Sequence, residues 1–194
     1  MLSRADVNTN KVILTKNLVT DQTYTNMTFR ANTAGRLFSG SHGVGTATAT
    51  TTIAVIHAGG FSDQKITAIM RYAGPTTAGT EDFGVICRVQ GLEDTNSTNY
   101  YYARCSAGSA KLTKVISGSF TNLSTSAFAL PVDTDVTITL QAVGSSISAT
   151  FSAGGSPADV TLSATDSTVP SGGQLGFRTF GSTGYCKFFT AEQL

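Results

Sequence analysis

The segment "DVTITLQAVGSSISATFSAGG", residues 135–155, determines the fold that the rest of the chain is expected to share. If Gly144 and Ser145 form a two-residue type II′ turn with glycine first, the flanking residues become two paired antiparallel strands. The apolar residues of both strands then lie on one side of the hairpin, and the polar residues lie on the other. The apolar pairs are Ala142 with Ile147, Leu140 with Ala149 and Ile138 with Phe151, and the polar side holds Thr137, Thr139, Gln141, Ser148 and Thr150.

Similar short alternating segments, bounded by Gly, Ser, Asn and Pro, recur roughly every ten residues, whereas helical periodicity is nearly absent. So many short strands in one chain predict an all-β fold, a two-sheet antiparallel β-sandwich or jelly roll. Further strands are expected at residues 11–17, 36–40, 50–56, 65–73, 83–89, 100–105, 111–117, 159–165, 174–180 and 184–192.

The composition favours a single domain with few charged residues. The chain has 194 residues, enough for a single β-sandwich, and only 13% of them are charged. Because 13 Lys and Arg residues stand against 12 Asp and Glu residues, no basic surface for nucleic acid is expected. No apolar run is long enough for a signal peptide or a membrane-spanning helix. We predict a single jelly-roll domain at 26–194, preceded by a polar N-terminal arm at 1–25 that anchors it to a partner.

The cysteines suggest no special chemistry. Cys87, Cys105 and Cys186 are an odd number of cysteines, and they lack the close spacing of zinc sites and redox motifs. We therefore expect three small buried thiols without a disulfide, and we predict no cofactor.

A second strand pair joins "FGVICRV", residues 83–89, to "YYYARC", residues 100–105. We predict the register that keeps both arginines of these strands off the core. It pairs Cys87 with Ala103, Val85 with Cys105 and Val89 with Tyr101. The face away from the core then holds Arg88, Tyr100, Tyr102 and Arg104.

Several stretches of the chain resemble one known superfamily. They are "FSDQKITAIMRYAG", "FGVICRVQG", "NYYYARCSAGSAKLTKVISG", "VTITLQAVGSSISATFSAGG", "ATDSTVPSGGQLGF" and the closing "GSTGYCKFF". Together they resemble the concanavalin A-like lectin/glucanase superfamily, and within it the LamG-like jelly-roll modules of bacteriophage virion proteins and bacterial surface proteins. The resemblance covers residues 55–190. It implies a curved sheet whose concave face holds a glycan in some members, while other members have lost binding and serve as structural modules.

The chain departs from the glucanases of this superfamily at their catalytic carboxylates. Those enzymes place carboxylates along one strand as E-x-D-x-x-E, because glycosidic cleavage needs two of them about 5 to 9.5 Å apart. Here Glu81 and Asp82, like Glu93 and Asp94, are adjacent in sequence, so on a strand each pair would point to opposite faces. No catalytic residue and no enzymatic activity are predicted.

The chain also departs from its relatives at the metal site. Many relatives end with an acidic residue after an aromatic one, whereas the matching stretch here is "YCKF", residues 185–188, and Lys187 cannot bind calcium. Asp166, and Asp94 with Asn96, offer fewer oxygens than the roughly six to eight that calcium takes. Asx turns explain these residues better, and no metal is predicted.

The predicted face with Arg88, Tyr100, Tyr102 and Arg104 has two interpretations. Carbohydrate sites place an aromatic ring against the apolar face of a sugar and surround it with planar hydrogen-bonding groups, and these residues have that chemistry. Cross-strand tyrosine and arginine also stabilise each other by stacking without any ligand, and the chain has no tryptophan. Both interpretations stay open. Residues that would extend the face are Arg71, Tyr72, Arg178 and Lys187.

The resemblance implies three functions. The first is a non-enzymatic virion structural module of a bacteriophage, namely a capsid decoration, head-fibre or tail-fibre protein with a glycan-binding or adhesion role. Its arm would contact other virion proteins, its sheet would contact cell-surface or environmental glycans, and its copies would form a homo-oligomer. The alternative is a stand-alone carbohydrate-binding, lectin-like module, and the third is a glycoside hydrolase with rearranged carboxylates. We expect the protein on the virion, with no nucleic acid or membrane partner.

Overall fold

A computed structural model describes residues 11–17, 27–31, 52–56, 61–75, 82–90, 98–106, 108–129, 132–154, 160–180 and 182–194. All regular elements in these residues are β-strands, and they pair antiparallel in two sheets. The predicted all-β, two-sheet antiparallel β-sandwich is confirmed. No described residue belongs to a helix that is long and apolar enough to cross a membrane.

One sheet has six strands. Along these strands apolar residues alternate with polar ones, so one face of the sheet is buried against the second sheet and the other faces solvent. In spatial order the strands are β1 (Lys11–Asn17), β13 (Ser182–Gln193), β4 (Gln64–Pro75), β9 (Thr134–Val143), β10 (Ser146–Ala153) and β11 (Val160–Thr165).

The other sheet has seven strands. In spatial order they are β2 (Met27–Ala31), β3 (Thr52–Ile56), β12 (Gln174–Phe180), β5 (Asp82–Gln90), β6 (Asn99–Ser106), β7 (Ser109–Ile116) and β8 (Ser119–Ala127). The sequence analysis did not predict β2 or β8. The strand that it predicted at 36–40 lies outside the described residues.

The hairpin of β9 and β10 has the predicted register. All three apolar pairs occur, with Ala142 opposite Ile147 at the turn and Ile138 opposite Phe151 farthest from it. Gly144 has a φ of 52°, which suits the first position of a type II′ turn and favours glycine there. The two-residue turn therefore fixes the strand alignment, as predicted.

The main core lies between the two sheets. Phe177 of the seven-stranded sheet meets Phe189 of the six-stranded sheet with 5.2 Å between ring centroids. The three cysteines are free and buried in this core, as predicted. Burial raises the pKa of Cys87 to about 12, so this thiol stays neutral. Other core residues are Ile66, Met70, Val85, Leu112, Ile138, Leu140 and Phe151.

A single row of threonines crosses the six-stranded sheet. Every strand of this sheet contributes one threonine, directly opposite the threonine of its neighbour. The Thr67 and Thr139 hydroxyls are 3.1 Å apart and hydrogen-bonded. Where the side chains are described, these threonines are half-buried or exposed, so the row lies on the face away from the core. In spatial order the row is Thr15, Thr190, Thr67, Thr139, Thr150 and Thr161.

Part of the predicted N-terminal arm is a strand. Residues Lys11–Asn17 form β1, which pairs with β13 at the edge of the six-stranded sheet. Residues 1–10 and 18–26 lie outside the described residues, so the division between an arm at 1–25 and a domain at 26–194 stays a prediction. Glu81, Glu93, Asp94 and Asn96 lie outside them as well.

Candidate functional site

The predicted pairing of β5 with β6 is wrong by two residues. Val85 lies opposite Ala103 rather than Cys105, and Cys87 lies opposite Tyr101 rather than Ala103. A shift of two residues leaves the side chains of the regularly paired residues on their predicted faces, because side chains alternate with a period of two. The residues between these strands form a longer connection than a two-residue turn, so nothing local fixed the register.

Arg88 is not on the predicted face. It lies in a β-bulge between Cys87 and Gln90, with a φ of 53°. Its amide donates a hydrogen bond to Oε1 of the buried Gln64 at 2.9 Å, and its Nη2 donates one to the Ser62 carbonyl at 3.0 Å. Gln64 is the first residue of β4 in the six-stranded sheet, and Ser62 lies just before it, so the bulge turns this arginine inward, where it is only 2% exposed.

Tyr100, Tyr102 and Arg104 lie on the predicted face, but both tyrosines are buried. Tyr100 is 1% exposed and Tyr102 is 0% exposed. Their rings meet edge to face at 6.3 Å between centroids, within a second apolar cluster that includes side chains of β5 and β7. Burial and the nearby Asp82 carboxylate raise the pKa of Tyr102 well above its usual value, so its hydroxyl stays a donor. The structure gives both tyrosines a packing role, and their contact with carbohydrate stays a prediction.

Asp82 joins three side chains of this face. Its Oδ1 accepts hydrogen bonds from the Tyr102 hydroxyl and from Arg178 Nη1, both at 2.7 Å. Its Oδ2 accepts one from Arg104 Nη1 at 2.8 Å. The side chains of Asp82, Arg104 and Arg178 are 7%, 14% and 6% exposed. These four residues, called the Asp82 cluster below, hold one carboxylate and two guanidinium groups largely out of water.

Phe120 of β8 covers the Asp82 cluster. Its ring centroid lies 5.5 Å from the guanidinium carbon of Arg104 and 4.8 Å from that of Arg178. Arg178 is on β12, four strand spacings from β8, or about 19 Å on a flat sheet. Two side chains bridge that distance only if the sheet curls, so the outer face of the seven-stranded sheet is concave.

Phe120 and its polar neighbours form the accessible part of this concave face. Phe120 is 42% exposed, in contrast to the buried tyrosines. The exposed Asn122 accepts hydrogen bonds through Oδ1 from Arg104 Nη2 at 3.1 Å and from Thr113 Oγ1 at 3.0 Å. Lys111 is half-buried directly opposite Arg104. An exposed aromatic ring beside amide, guanidinium and ammonium groups has the chemistry that carbohydrate recognition uses.

The residues predicted to extend the face separate between the two sheets. Arg178 does extend it, through the Asp82 cluster. Arg71 and Lys187 instead contact Asp135 on the six-stranded sheet, at 3.5 Å and 2.6 Å. The side chain of Tyr72 is outside the described part of the chain.

Phe120, Asn122 and Asp82 are missing from the predicted site. The signal for the first two was the Ser117-Gly118 dipeptide after a predicted strand, which is typical of a two-residue hairpin turn and so indicates a following strand. Both turn residues have positive φ, 47° and 79°, as a type I′ turn requires.

Asp166, considered above as a calcium ligand, contacts protein donors. Its Oδ1 accepts hydrogen bonds from the Tyr101 hydroxyl at 2.7 Å and from the Thr168 amide at 2.8 Å. Its Oδ2 accepts one from Lys114 Nζ, also at 2.7 Å. Among the described residues, no group of three or more His, Cys, Asp or Glu side chains is placed to hold a metal ion.

Acid should weaken the fold through Asp166. Burial alone would raise its pKa, but hydrogen bonds from Lys114, Tyr101 and Thr168 outweigh that effect and lower the pKa from 3.8 to about 2. A lowered pKa in the folded state stabilises the protein above the unfolded pKa, and this stabilisation is lost as the pH falls from about 4 towards 2. Urea unfolding midpoints between pH 7 and 2.5 should therefore fall less steeply for Asp166→Asn than for the wild type. Parallel curves would contradict this role.

No family model and no curated protein match the chain, but solved structures do. The chain is similar to the carbohydrate-binding module CBM66 from Bacillus subtilis, with a TM-score of 0.67 and 15% identity, over 87% of this chain and 97% of that one. It is similar to the Lotus tetragonolobus seed lectin, with a TM-score of 0.70 and 9% identity, over 92% of this chain and 97% of the lectin. The fold is a lectin-like jelly roll.

This lectin-like jelly roll also resembles a Bacillus subtilis protein of unknown function with a galectin-like fold. The TM-score is 0.69 and the identity 13%, over 95% of this chain and 98% of that one. Identities this low show the fold alone, and the fold is consistent with the concanavalin A-like superfamily named above. The Asp82 cluster and Phe120 thus lie on the concave face of a lectin-like jelly roll.

Proposed function

We propose that this protein is a carbohydrate-binding, lectin-like module whose contact surface centres on Phe120. Because a fold does not assign a function, the main support is one observation: Phe120 is 42% exposed on a concave face whose tyrosines are buried. Ligand sites commonly combine aromatic side chains with a few well-placed polar groups, and Phe120 has such neighbours. The likeness to a module and a seed lectin whose names denote carbohydrate binding supports the same function.

The environment of Phe120 suits a rigid stacking surface. The guanidinium groups of Arg104 and Arg178 lie against the ring, and the Asp82 carboxylate holds both of them in place. A ring that is fixed before binding loses little conformational entropy when a sugar stacks on it. Asn122 and Arg104 then supply hydrogen-bonding groups beside the ring, which would orient the sugar hydroxyls.

We also propose that the module binds glycan without cleaving it. Glycosidic cleavage needs a carboxyl group that gives a proton to the leaving oxygen. Asp82 is the described carboxylate of this face, and it accepts hydrogen bonds from Tyr102, Arg104 and Arg178. These donors occupy both of its oxygens, which suits a structural role.

Substitution of Phe120 by alanine tests the proposed surface. We expect Phe120→Ala to weaken binding at least tenfold, about 1.4 kcal/mol or more, because a central aromatic contact is lost. Wild type and variant would be compared by affinity electrophoresis in gels that contain individual plant, bacterial and algal polysaccharides. Val132→Ala and Val143→Ala are matched controls, because these apolar side chains are also exposed, at 54% and 38%. Wild-type binding that survives Phe120→Ala, or no binding to any polysaccharide, would contradict the proposal.

Attachment to a bacteriophage particle, as a decoration, head-fibre or tail-fibre protein, is our second proposal. It is supported by the resemblance to virion modules and by the edge position of β1 in its sheet. An edge strand presents backbone groups with which a neighbouring protein is able to pair. Antibody labelling of purified particles tests it, and unlabelled particles would exclude this role.

A further inference from the structure

Positively charged residues lie in one row across the concave face. In the sheet register, Arg178 lies opposite Gly84, Gly84 opposite Arg104, and Arg104 opposite Lys111. Like charges at directly opposed positions destabilise an antiparallel pair. The pairing of Arg104 with Lys111 therefore has a cost that the rest of the site must offset.

Asp82 offsets only part of this charge. Its two oxygens accept hydrogen bonds from both arginines of the row, and so this carboxylate pairs with two of the three cations. Lys111 is the cation of the row without an acidic partner, since within the described ranges it makes no ion pair. The other lysines whose side chains are described all have acidic partners: Lys65 with Glu192 at 3.0 Å, Lys114 with Asp166 at 2.7 Å and Lys187 with Asp135 at 2.6 Å.

Arg104 also keeps donors for a ligand. A guanidinium group has five N–H donors in total. Arg104 uses Nε for Thr113, one hydrogen of Nη1 for Asp82 and one of Nη2 for Asn122. Two N–H groups are left over, on a side chain that is 14% exposed.

We propose that the glycan bound at Phe120 is anionic, and that Lys111 and Arg104 together bind its carboxylate or sulfate group. This inference rests on the proposed carbohydrate-binding function and specifies its ligand class. An anion between the two cations relieves their repulsion and forms charge-assisted hydrogen bonds with both. The sugar ring that bears the anion then stacks on Phe120, on the same face.

Paired polysaccharides that differ only in charge test the inference. Binding of polygalacturonate would be compared with binding of its methyl ester, in which the same backbone has no charge. Dextran sulfate and dextran form a second pair, which separates sulfate from carboxylate as the preferred group. We expect the acid form of at least one pair to bind about tenfold more tightly than the neutral form at low salt. This preference should shrink at high salt, because these charges are partly exposed.

Two lysine variants make the test specific. Lys111→Gln should remove most of the preference for the anionic polymer. Lys65→Gln lowers the net charge equally but lies on the other sheet, paired with Glu192, and so should keep the preference. Circular dichroism and urea unfolding confirm that both variants are folded.

The failures are distinguishable. Equal affinity for charged and neutral polymers would overturn the anionic inference and leave the proposed function standing. The same conclusion would follow if Lys111→Gln and Lys65→Gln reduced the preference for the anionic polymer equally. If Phe120→Ala binds the anionic polymer as tightly as the wild type does, the polymer is attracted to the protein independently of this face. That result would also overturn the inference. No binding to any polymer would overturn the inference and the proposed function together.

Discussion

Replacing Asp82 with asparagine should lower the free energy of unfolding by about 3 to 5 kcal/mol, the cost of removing one partner from a buried ion pair. The variant has nearly the same shape, so packing is kept and only the charge and one acceptor are lost. Arg104 and Arg178 would keep their positions at 14% and 6% exposure without the carboxylate that both contact. The Tyr102 hydroxyl donates to the same carboxylate and loses this partner as well. Urea denaturation followed by tyrosine fluorescence measures the change.

Asp135→Asn is the matched control for this prediction. Asp135 also lies between two cations, Arg71 at 3.5 Å and Lys187 at 2.6 Å, but its side chain is 42% exposed on the six-stranded sheet. Solvent screens such pairs, so this substitution should cost less than about 1 kcal/mol. If the two variants lose equal stability, burial does not determine the importance of the Asp82 cluster.

Gly84→Ala should be the second severe substitution. A Cβ atom built on Gly84 would lie 1.9 Å from the Ala103 carbonyl oxygen and 2.9 Å from Arg104 Cα. These atoms are backbone of the paired strand β6, so no side-chain rotation relieves the overlap and the two central strands must separate. We expect a loss of about 3 kcal/mol or more, at the upper end of overpacking effects. Thermal unfolding of the purified variant, or its failure to accumulate in soluble form, measures this.

Gly154→Ala is the control for Gly84→Ala. A Cβ atom on Gly154 would meet nothing within 4 Å, and this glycine is exposed after β10. The substitution should change the free energy of unfolding by less than about 0.5 kcal/mol. A Gly84→Ala protein as stable as the Gly154→Ala protein would show that β5 and β6 adjust their spacing more readily than we expect.

The sequence predicted structure well where a short turn connects two strands. The register of β9 and β10 followed from Gly144 and Ser145, because a two-residue turn leaves one alignment that keeps the apolar residues together. The alternation of apolar and polar residues likewise predicted a two-sheet sandwich. Both inferences depend on local geometry, which the chain specifies within about 20 residues.

The sequence predicted the structure less well where contacts between distant parts of the chain, and not a short turn, determine the position of a side chain. The predicted register of β5 and β6 assumed that arginine avoids the core. Arg88 is inside nevertheless, because a bulge turns it towards the Ser62 carbonyl and the Asp63 carboxylate. Those partners directly precede β4 of the other sheet, so no pattern within β5 predicts them.

The accessible aromatic residue was missed for a similar reason. β8 contains Phe120 among Ser, Thr and Asn residues, a composition with weak strand signals. The sequence instead favoured the three adjacent tyrosines of β6. The position of Phe120 depends on the curvature of the seven-stranded sheet, which brings it over Arg178 from four strands away.

The threonine row has a consequence for how the six strands find their alignment during folding. A slip of two residues keeps apolar side chains inside, so the apolar pattern opposes it only through differences in side-chain size. A slip that places Thr139 opposite Ser152 and Gln141 opposite Thr150 would break the native Thr139–Thr150 pair, and cross-strand threonine pairs are worth about 0.2 to 1 kcal/mol each. The solvent-facing side of this sheet therefore favours the native alignment over a slip in that direction, which the apolar pattern alone opposes only weakly.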